Sequence, residues 1–319
     1  FRVDVIWHLI KDADFSDNPP NPFYRPGQPD IERNLQVHST DQAEVHDVIS
    51  EMRAVIDEYP DRLLIGEIYL PVDRLMAYYG KDNRGVHLPF NFQLIQAPWQ
   101  AQTIADLIRD YEAVLPEGGW PNWVLSNHDQ PRIAARVGEA QARVATMLLL
   151  TLRGTPTLYY GDELPIGKVA ISPDRIRDPW AKNEPAASFK RDSSRTPMQW
   201  DGSDNAGFSS GEPWLPLTDD WRSRNIAEQS AKSDAMLDLT RALLKLRRDE
   251  PVLQGGSYRP LFVEGSVMAF ERRTDTDVLA VILNLSPDAV ELALPEHLHG
   301  ASVLATAQPE DGLTTLSDT

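Results

Sequence analysis

Two apolar periods alternate along this chain, and their alternation predicts its elements. Arg2 to Ile6 (RVDVI) is a short run around β-branched residues and reads as a strand. Asp12 to Ser39 is crowded with Pro, Asn and Asp (SDNPPNPFYRPGQPD) and has no period. It reads as a loop long enough to be functional. Val45, Val48, Ile49, Met52, Val55 and Ile56 then recur at helical spacing, behind a capping-box pair at Ser39 and Gln42. LLIGEIY reads as a second strand, Pro71 to Tyr79 as a short helix, and HLPFNF around Pro89 as a third strand. Thr103 to Leu115 reads as a helix and Trp123 to Ser126 as a strand. Glu139 to Arg153 follows as a helix closed by Gly154, a favoured residue just past a helix end, and TLYYG as a fifth strand. Strands alternating with helices in this way predict parallel β/α units. Ala231 to Arg248 is the last long helix.

After Pro251 the texture changes. VMAFERR, VLAVILNLS and VELALP read as short strands separated by turns, which predicts a small antiparallel sheet. The expected division is therefore 1–250 and 251–319. A (β/α)8 TIM barrel takes roughly 250 residues or more. Five strands fit its later part, and FRVDVIWH opens the sequence inside a strand pattern. The expectation is an α/β chain holding the barrel from its fourth strand onward, with the earlier strands preceding Phe1, followed by the antiparallel domain.

Composition narrows the partners. The chain has 319 residues, 41% of them hydrophobic and 25% charged, with a formal net charge of −17. That field repels phosphate backbones and acidic lipid, so nucleic acid and membrane are not expected as partners, whereas a neutral sugar is indifferent to it. No apolar run approaches membrane-helix length. There is no cysteine, which excludes disulfides and thiolate metal sites and permits a reducing compartment; a cytoplasmic location is the expectation. His8, His38, His46 and His87 lack the spacing of zinc ligands and read as structural or exposed. Gly118-Gly119 precedes Trp120-Pro121 and reads as a turn rather than a phosphate loop. Neither a metal nor a cofactor is expected.

Asp4, Glu67 and Asp129 each fall at or near the C-terminal end of an expected strand, the rim on which a β/α barrel builds its active site. Any one alone reads equally well as a helix cap or a partner of arginine. Three at strand ends suit glycoside hydrolysis, which needs carboxyl groups on both sides of the scissile bond, one of them holding a proton. Crowded carboxylates raise the pKa of that group.

The strings FRVDVIWH, LLIGEIYL and LSNHDQPR resemble three sequence regions of glycoside hydrolase family thirteen, the α-amylase superfamily. GTPTLYYGDE and RDSSRTPMQWD resemble signatures of its α-glucosidase and oligo-1,6-glucosidase branch. The resemblance runs in order along nearly the whole chain. The family's first region, which brings an Asp and a His to the sugar site, has no counterpart, nor has the domain inserted after the third strand. By that resemblance Asp4 is the nucleophile, Glu67 the acid/base and Asp129 the group that grips sugar hydroxyls. Arg2 would hydrogen-bond the Asp4 carboxylate, His128 would touch the same sugar, and Arg191 would lie near the terminal glucose. Arg195 is a weaker candidate of the same kind. Trp7, Phe90, Tyr159 and Trp200 could stack on sugar rings, although core packing explains each as well.

The implied activity is that of a retaining, exo-acting α-glucosidase on short α-1,4- or α-1,6-linked gluco-oligosaccharides, with transglucosylation open. Its carboxyl groups should stand about 5 to 5.5 Å apart. Two other readings remain: a sucrose isomerase or related glucosyl transferase, and a non-enzymatic relative like the transporter heavy chains, which typically lose the carboxylates present here. In the family, Val directly after the nucleophile, here Val5, goes with α-1,6 activity, and Thr or Ala with α-1,4.

Overall fold

The structure, a computed structural model, describes residues 1–28, 30–183, 191–299 and 301–308. Lys190, at the head of the RDSSR string, and residues 309–319, the tail of the expected second domain, lie outside the described residues.

The expected strands form, shorter than the apolar runs that signal them. β1 (Arg2–Val3), β2 (Ile65–Gly66) and β3 (Leu88–Pro89) pair in parallel in that order, with Arg2 opposite Ile65 and Gly66 opposite Pro89. β4 (Asn122–Val124) and β5 (Thr155–Thr157) make a second parallel pair. Parallel neighbours require crossovers, and helices supply them. Val45–Asp57 and Val72–Met76 lie in the connections within the first group, Ala101–Val114 leads to β4, and Glu139–Thr151 joins β4 to β5.

The strand expected over Arg2–Ile6 stops at Val3. Val5 turns into the left-handed region (φ 39°, ψ 45°), and Ile6–His8 form a 3-10 turn that drops Ile6 into the core. The capping box at Ser39 and Gln42 is not formed. Ser39 lies too far ahead of the first turn and donates to Gln36 Oε1 at 2.8 Å, while Gln42 Nε2 donates to the Val37 and Thr40 carbonyls. Val45 and Ile49 are buried as expected, but Val55 is 56% exposed, rotated off the packed face. The long loop is not shapeless either: Asn21 N–H donates to Arg33 O, and Leu35 N–H to Pro19 O, which brings residues 19–21 against residues 33–35.

Glu139–Thr151 is the central helix, buried on most of its circumference (Ala142, Val144, Leu148, Leu150). Gly154 closes the turn after it with φ +117°. A Cβ there would stand 2.6 Å from the Pro121 carbonyl oxygen, so only glycine fits this approach of β5 to β4.

The last long helix begins at Met236, later than the expected Ala231. β6 (Ser257–Glu264), β7 (Val267–Arg273) and β8 (Val278–Asn284) then form an antiparallel sheet in sequence order. The last two coincide with VMAFERR and VLAVILN. β6 is a strand the pattern hid, because Pro260 interrupts it; as an edge strand with a register shift between Pro260 and Phe262 it tolerates that proline. VELALP, expected as a strand, joins no ladder. Leu292 and Leu294 satisfy their alternation by half-burial alone. The sheet shares one apolar core with the β/α units: Ile49, Leu148, Phe270 and Leu283 belong to the same cluster. Fully buried Arg272 clamps the junction, donating to the carbonyls of Thr151 (2.7 Å), Leu253 (3.1 Å) and Gly256 (2.7 Å).

Candidate active site

The ends of β1 and β2 bring Asp4 and Glu67 together. Parallel register sets Val3 beside Gly66, so the next residues on both strands emerge side by side. Arg2 joins them: Nη1 lies 2.9 Å from Asp4 Oδ1 and Nη2 2.8 Å from Glu67 Oε2. The left-handed turn at Val5 points its N–H at the same Glu67 oxygen, at 3.1 Å. Each carboxyl group shifts the pKa of the other through a side-chain interaction.

The environments of the pair differ sharply. The Glu67 side chain is 4% exposed and that of Asp4 71%. Burial first, and the bond to Asp4 second, push the Glu67 pKa up to about 6. The bond to Glu67, helped by Arg2, holds Asp4 below its ordinary value. Of the two, Glu67 is the group that holds a proton more readily and Asp4 the one that ionises first.

Asp129 follows β4 and is fixed from several sides. The Asn127 side-chain oxygen accepts from the backbone N–H of Asp129 (2.9 Å) and Gln130 (2.8 Å), which shapes the NHD turn. Asn127 Nδ2 donates to the Tyr69 hydroxyl at 2.8 Å. That ring stacks on Phe92 with centroids 4.3 Å apart, and burial pushes its phenol up to about 12. Arg195 Nη2 lies 2.8 Å and Arg191 Nη1 3.3 Å from Asp129 Oδ1. His128 Nε2 lies 3.3 Å from Asp129 Oδ2, and desolvation lowers the imidazole pKa, which favours its neutral form. His128 also lies close enough to Asp4 and Arg2 to feel their charges.

All six expected residues thus form one constellation. Arg195, the weaker candidate, makes the shorter contact to Asp129 and also donates from Nε to the His128 carbonyl at 2.9 Å. Arg191 is shared with buried Asp178, which accepts from its Nε at 2.8 Å. Sequence reading missed Tyr69, Asn127 and Asp178. Tyr69 and Asn127 lie inside quoted strings, each two residues from a named carboxylate. Asp178 lies in a stretch with no pattern.

The aromatic candidates divide. Trp7 packs against the main core, Phe90 lies against Phe92, Ile95 and Val124, and the Tyr159 hydroxyl donates to Ser194 O at 2.9 Å. Trp200 is half-exposed. His38 pairs with Asp12 at 3.1 Å, and His87 Nδ1 accepts from the Leu64 N–H at 3.0 Å. Among the described residues no cluster of His, Asp and Glu could hold a metal ion. No helix among them is long and apolar enough to cross a membrane.

The site thus gathers carboxylates at the ends of parallel strands, with a buried one among them. Residues 1–256 match the alpha amylase catalytic domain, and the chain belongs to that family, with its TIM-barrel fold and C-terminal antiparallel sheet. It is 31% identical to Maltase A1 of Drosophila melanogaster over 93% of this chain and 55% of that protein. It is 32% identical to the Alpha-glucosidase of Apis mellifera over 90% of this chain and 51% of that one. A solved alpha-glucosyl transfer enzyme, XgtA, superposes with a TM-score of 0.85 at 32% identity, covering 92% of this chain and 57% of that one. The chain spans about half the length of the curated relatives it matches.

Proposed function

We propose that this chain carries the reacting carboxyl groups of a retaining, exo-acting α-glucosidase on short α-linked gluco-oligosaccharides. The observation that carries the reading is the split of the two carboxyl groups bridged by Arg2 into a buried acid, Glu67 at about 6, and an exposed carboxylate, Asp4, held below its ordinary value. A glycosidase needs those two protonation states together.

Substrate entering from the solvent side of Asp4 puts the anomeric carbon between the two carboxyl groups. Asp4 Oδ attacks that carbon while the glycosidic C–O bond breaks and Glu67 gives its proton to the leaving oxygen. A glycosyl ester on Asp4 results. Glu67, now a carboxylate, takes a proton from a water whose oxygen attacks the same carbon, freeing Asp4 and releasing the sugar with its starting configuration. Asp129, oriented by Arg191 and Arg195, accepts from sugar hydroxyls, and neutral His128 bonds the same ring. A sugar alcohol replacing the water gives transglucosylation, the second reading, which the likeness to the alpha-glucosyl transfer enzyme favours.

The finer placement belongs to the same reading. β1 to β5 take the places of the fourth to eighth barrel strands, the catalytic part runs over 1–250 and the β domain over 251–319, and a cysteine-free chain suits the cytoplasm. The experiment is turnover of maltose, isomaltose, sucrose and trehalose by the full-length protein, with proton NMR of the first sugar released. α-Glucose is expected; β-glucose formed first ends the assignment of Asp4 as nucleophile.

A further inference from the structure

Beneath the Asp129 site lies a fully buried arginine that the proposed reaction does not use. Arg132 is 1% exposed and stands three residues after Asp129, at the head of the helix Ile133–Val137. Its Nε donates to the Tyr160 carbonyl at 3.1 Å, and its Nη1 to Ser193 O (3.3 Å) and Thr196 Oγ1 (3.2 Å). The guanidinium carbon lies 4.8 Å from the Tyr160 ring centre and 5.5 Å from that of Tyr159. Those rings reach the same segment: Tyr159 Oη donates to Ser194 O at 2.9 Å and Tyr160 Oη to Thr196 O at 2.8 Å. Ser194 Oγ completes the ring by donating to Gln130 O at 2.8 Å.

Apart from the bond to the Tyr160 carbonyl, each of these hydrogen bonds involves residues 193–196, the short stretch that carries Arg195 and follows Arg191. The stretch has little regular structure of its own beyond the 3-10 turn Arg191–Ser194. Its place is therefore set by what it is tied to. The fit around Arg132 is close: at Gly161, φ +88°, a Cβ would stand 2.9 Å from Arg132 Nε. Arg132 Nη2 finds no partner among the described residues. A buried charge incompletely bonded costs stability, and buried polar knots of this kind trade stability for a single geometry.

We propose that Arg132 is a positioning residue: through the 193–196 backbone it sets Arg195 and Arg191 on Asp129, and so fixes how the sugar hydroxyls are gripped. This deepens the glucosidase reading and rests on it. A flexible lysine cannot span Tyr160 O, Ser193 O and Thr196 Oγ1 at once, since it lacks the planar fork.

The test is a double-substitution cycle on an activated aryl α-glucoside in the full-length protein, combining Arg132→Lys with Arg195→Lys. If Arg132 acts through Arg195, the paired loss in kcat/KM falls short of the product of the single losses by about fivefold or more. Arg247→Lys is the control. It removes an arginine equally tied to carbonyls, those of Leu150, Leu152 and Gly154, and should lower Tm while multiplying independently with Arg195→Lys. Should Arg132→Lys fail to fold, Tyr160→Phe removes only the bond to Thr196 O and should show the same shortfall, smaller in size. A crystal structure of the Arg132 or Tyr160 variant should show Arg195 displaced from Asp129, whatever the substrate proves to be. Independent losses together with an unmoved Arg195 overturn the proposal. A wild-type protein inactive on every α-glucoside overturns the glucosidase reading instead, and leaves the displacement as the measure of Arg132.

Discussion

Arg2 lies 2.9 Å from Asp4 Oδ1 and 2.8 Å from Glu67 Oε2, so a single guanidinium bridges the two carboxyl groups. The burial of Glu67 and the exposure of Asp4 make Glu67 the weaker acid of the two. The arrangement makes the proposed acid and the proposed nucleophile different before any substrate arrives.

Removing either group should abolish most turnover. Glu67→Gln and Asp4→Asn are each expected to lower kcat on maltose by about 10²-fold to 10⁴-fold or more. Azide should separate the roles. With Glu67→Ala and an activated aryl glucoside it should restore rate and give α-glucosyl azide. With Asp4→Ala the azide product should be the β-anomer, because azide then replaces the nucleophile itself. Near-wild-type hydrolysis in either variant removes that residue from the mechanism.

The pH dependence follows from the same split. Glu67 acts in its protonated form, so kcat/KM should fall as pH rises through about 6. Asp4 acts as a carboxylate with its pKa held down, so the acid limb should lie below the ordinary carboxylate range. Stability has a definite sign. A carboxyl whose pKa is raised on folding contributes stability below its unfolded value, and loses it as pH rises through the folded one. Glu67→Gln should therefore melt higher than wild type at pH 8, with no such gain at pH 4. A pH-independent difference in melting temperature would contradict the buried-acid assignment.

How much of this was legible in the sequence depends on how far each cause reaches along the chain. The strands announced themselves because β-branched runs such as LLIG and WVL pack in place, and the carboxylates stood out because they interrupt or follow such runs. Where they meet was legible too, since parallel register carries neighbouring strand ends to one rim. What stayed hidden acts at a distance. Asp178 matters because Arg191, 13 residues on, folds back onto it. Tyr69 matters because Asn127, 58 residues away, needs a partner. No local pattern encodes either. Val5 misled for the opposite reason: β-branching argues for an extended strand, but the need to turn an N–H toward Glu67 overrides it. Similarly, the capping-box spacing at Ser39 was formally right, yet its side chain found Gln36 first.

Gly154 gives a prediction about the scaffold alone. Its φ of +117° and the 2.6 Å approach of a built Cβ to Pro121 O forbid a side chain without moving β4 or β5. Gly154→Ala should destabilise by at least about 1 kcal/mol, since the substitution is incompatible with the native backbone. Denaturant unfolding should show a lower midpoint with an unchanged slope. A midpoint equal to wild type would mean that the β4–β5 pair approaches less closely than described.

Val5 offers a test of linkage preference. It follows the proposed nucleophile, gives its N–H to the proposed acid, and leaves its side chain 42% exposed on the solvent side. Whatever leaves on protonation by Glu67 must pass that side chain. A primary C6 oxygen brings a flexible methylene to this point, which packs against an apolar valine. A ring-attached C4 oxygen brings neighbouring hydroxyls, which a threonine can bond. Val5→Thr keeps the branched shape and the strained backbone, so it changes little but polarity. The ratio of kcat/KM for isomaltose over maltose should fall several-fold, in line with about 1 kcal/mol for one hydrogen bond gained by the maltose aglycone. Val5→Ala, which removes apolar contact and adds no hydroxyl, should lower the isomaltose rate while leaving maltose nearly unchanged. If both variants keep the wild-type ratio, the aglycone does not pass Val5, and linkage preference is set elsewhere on the rim.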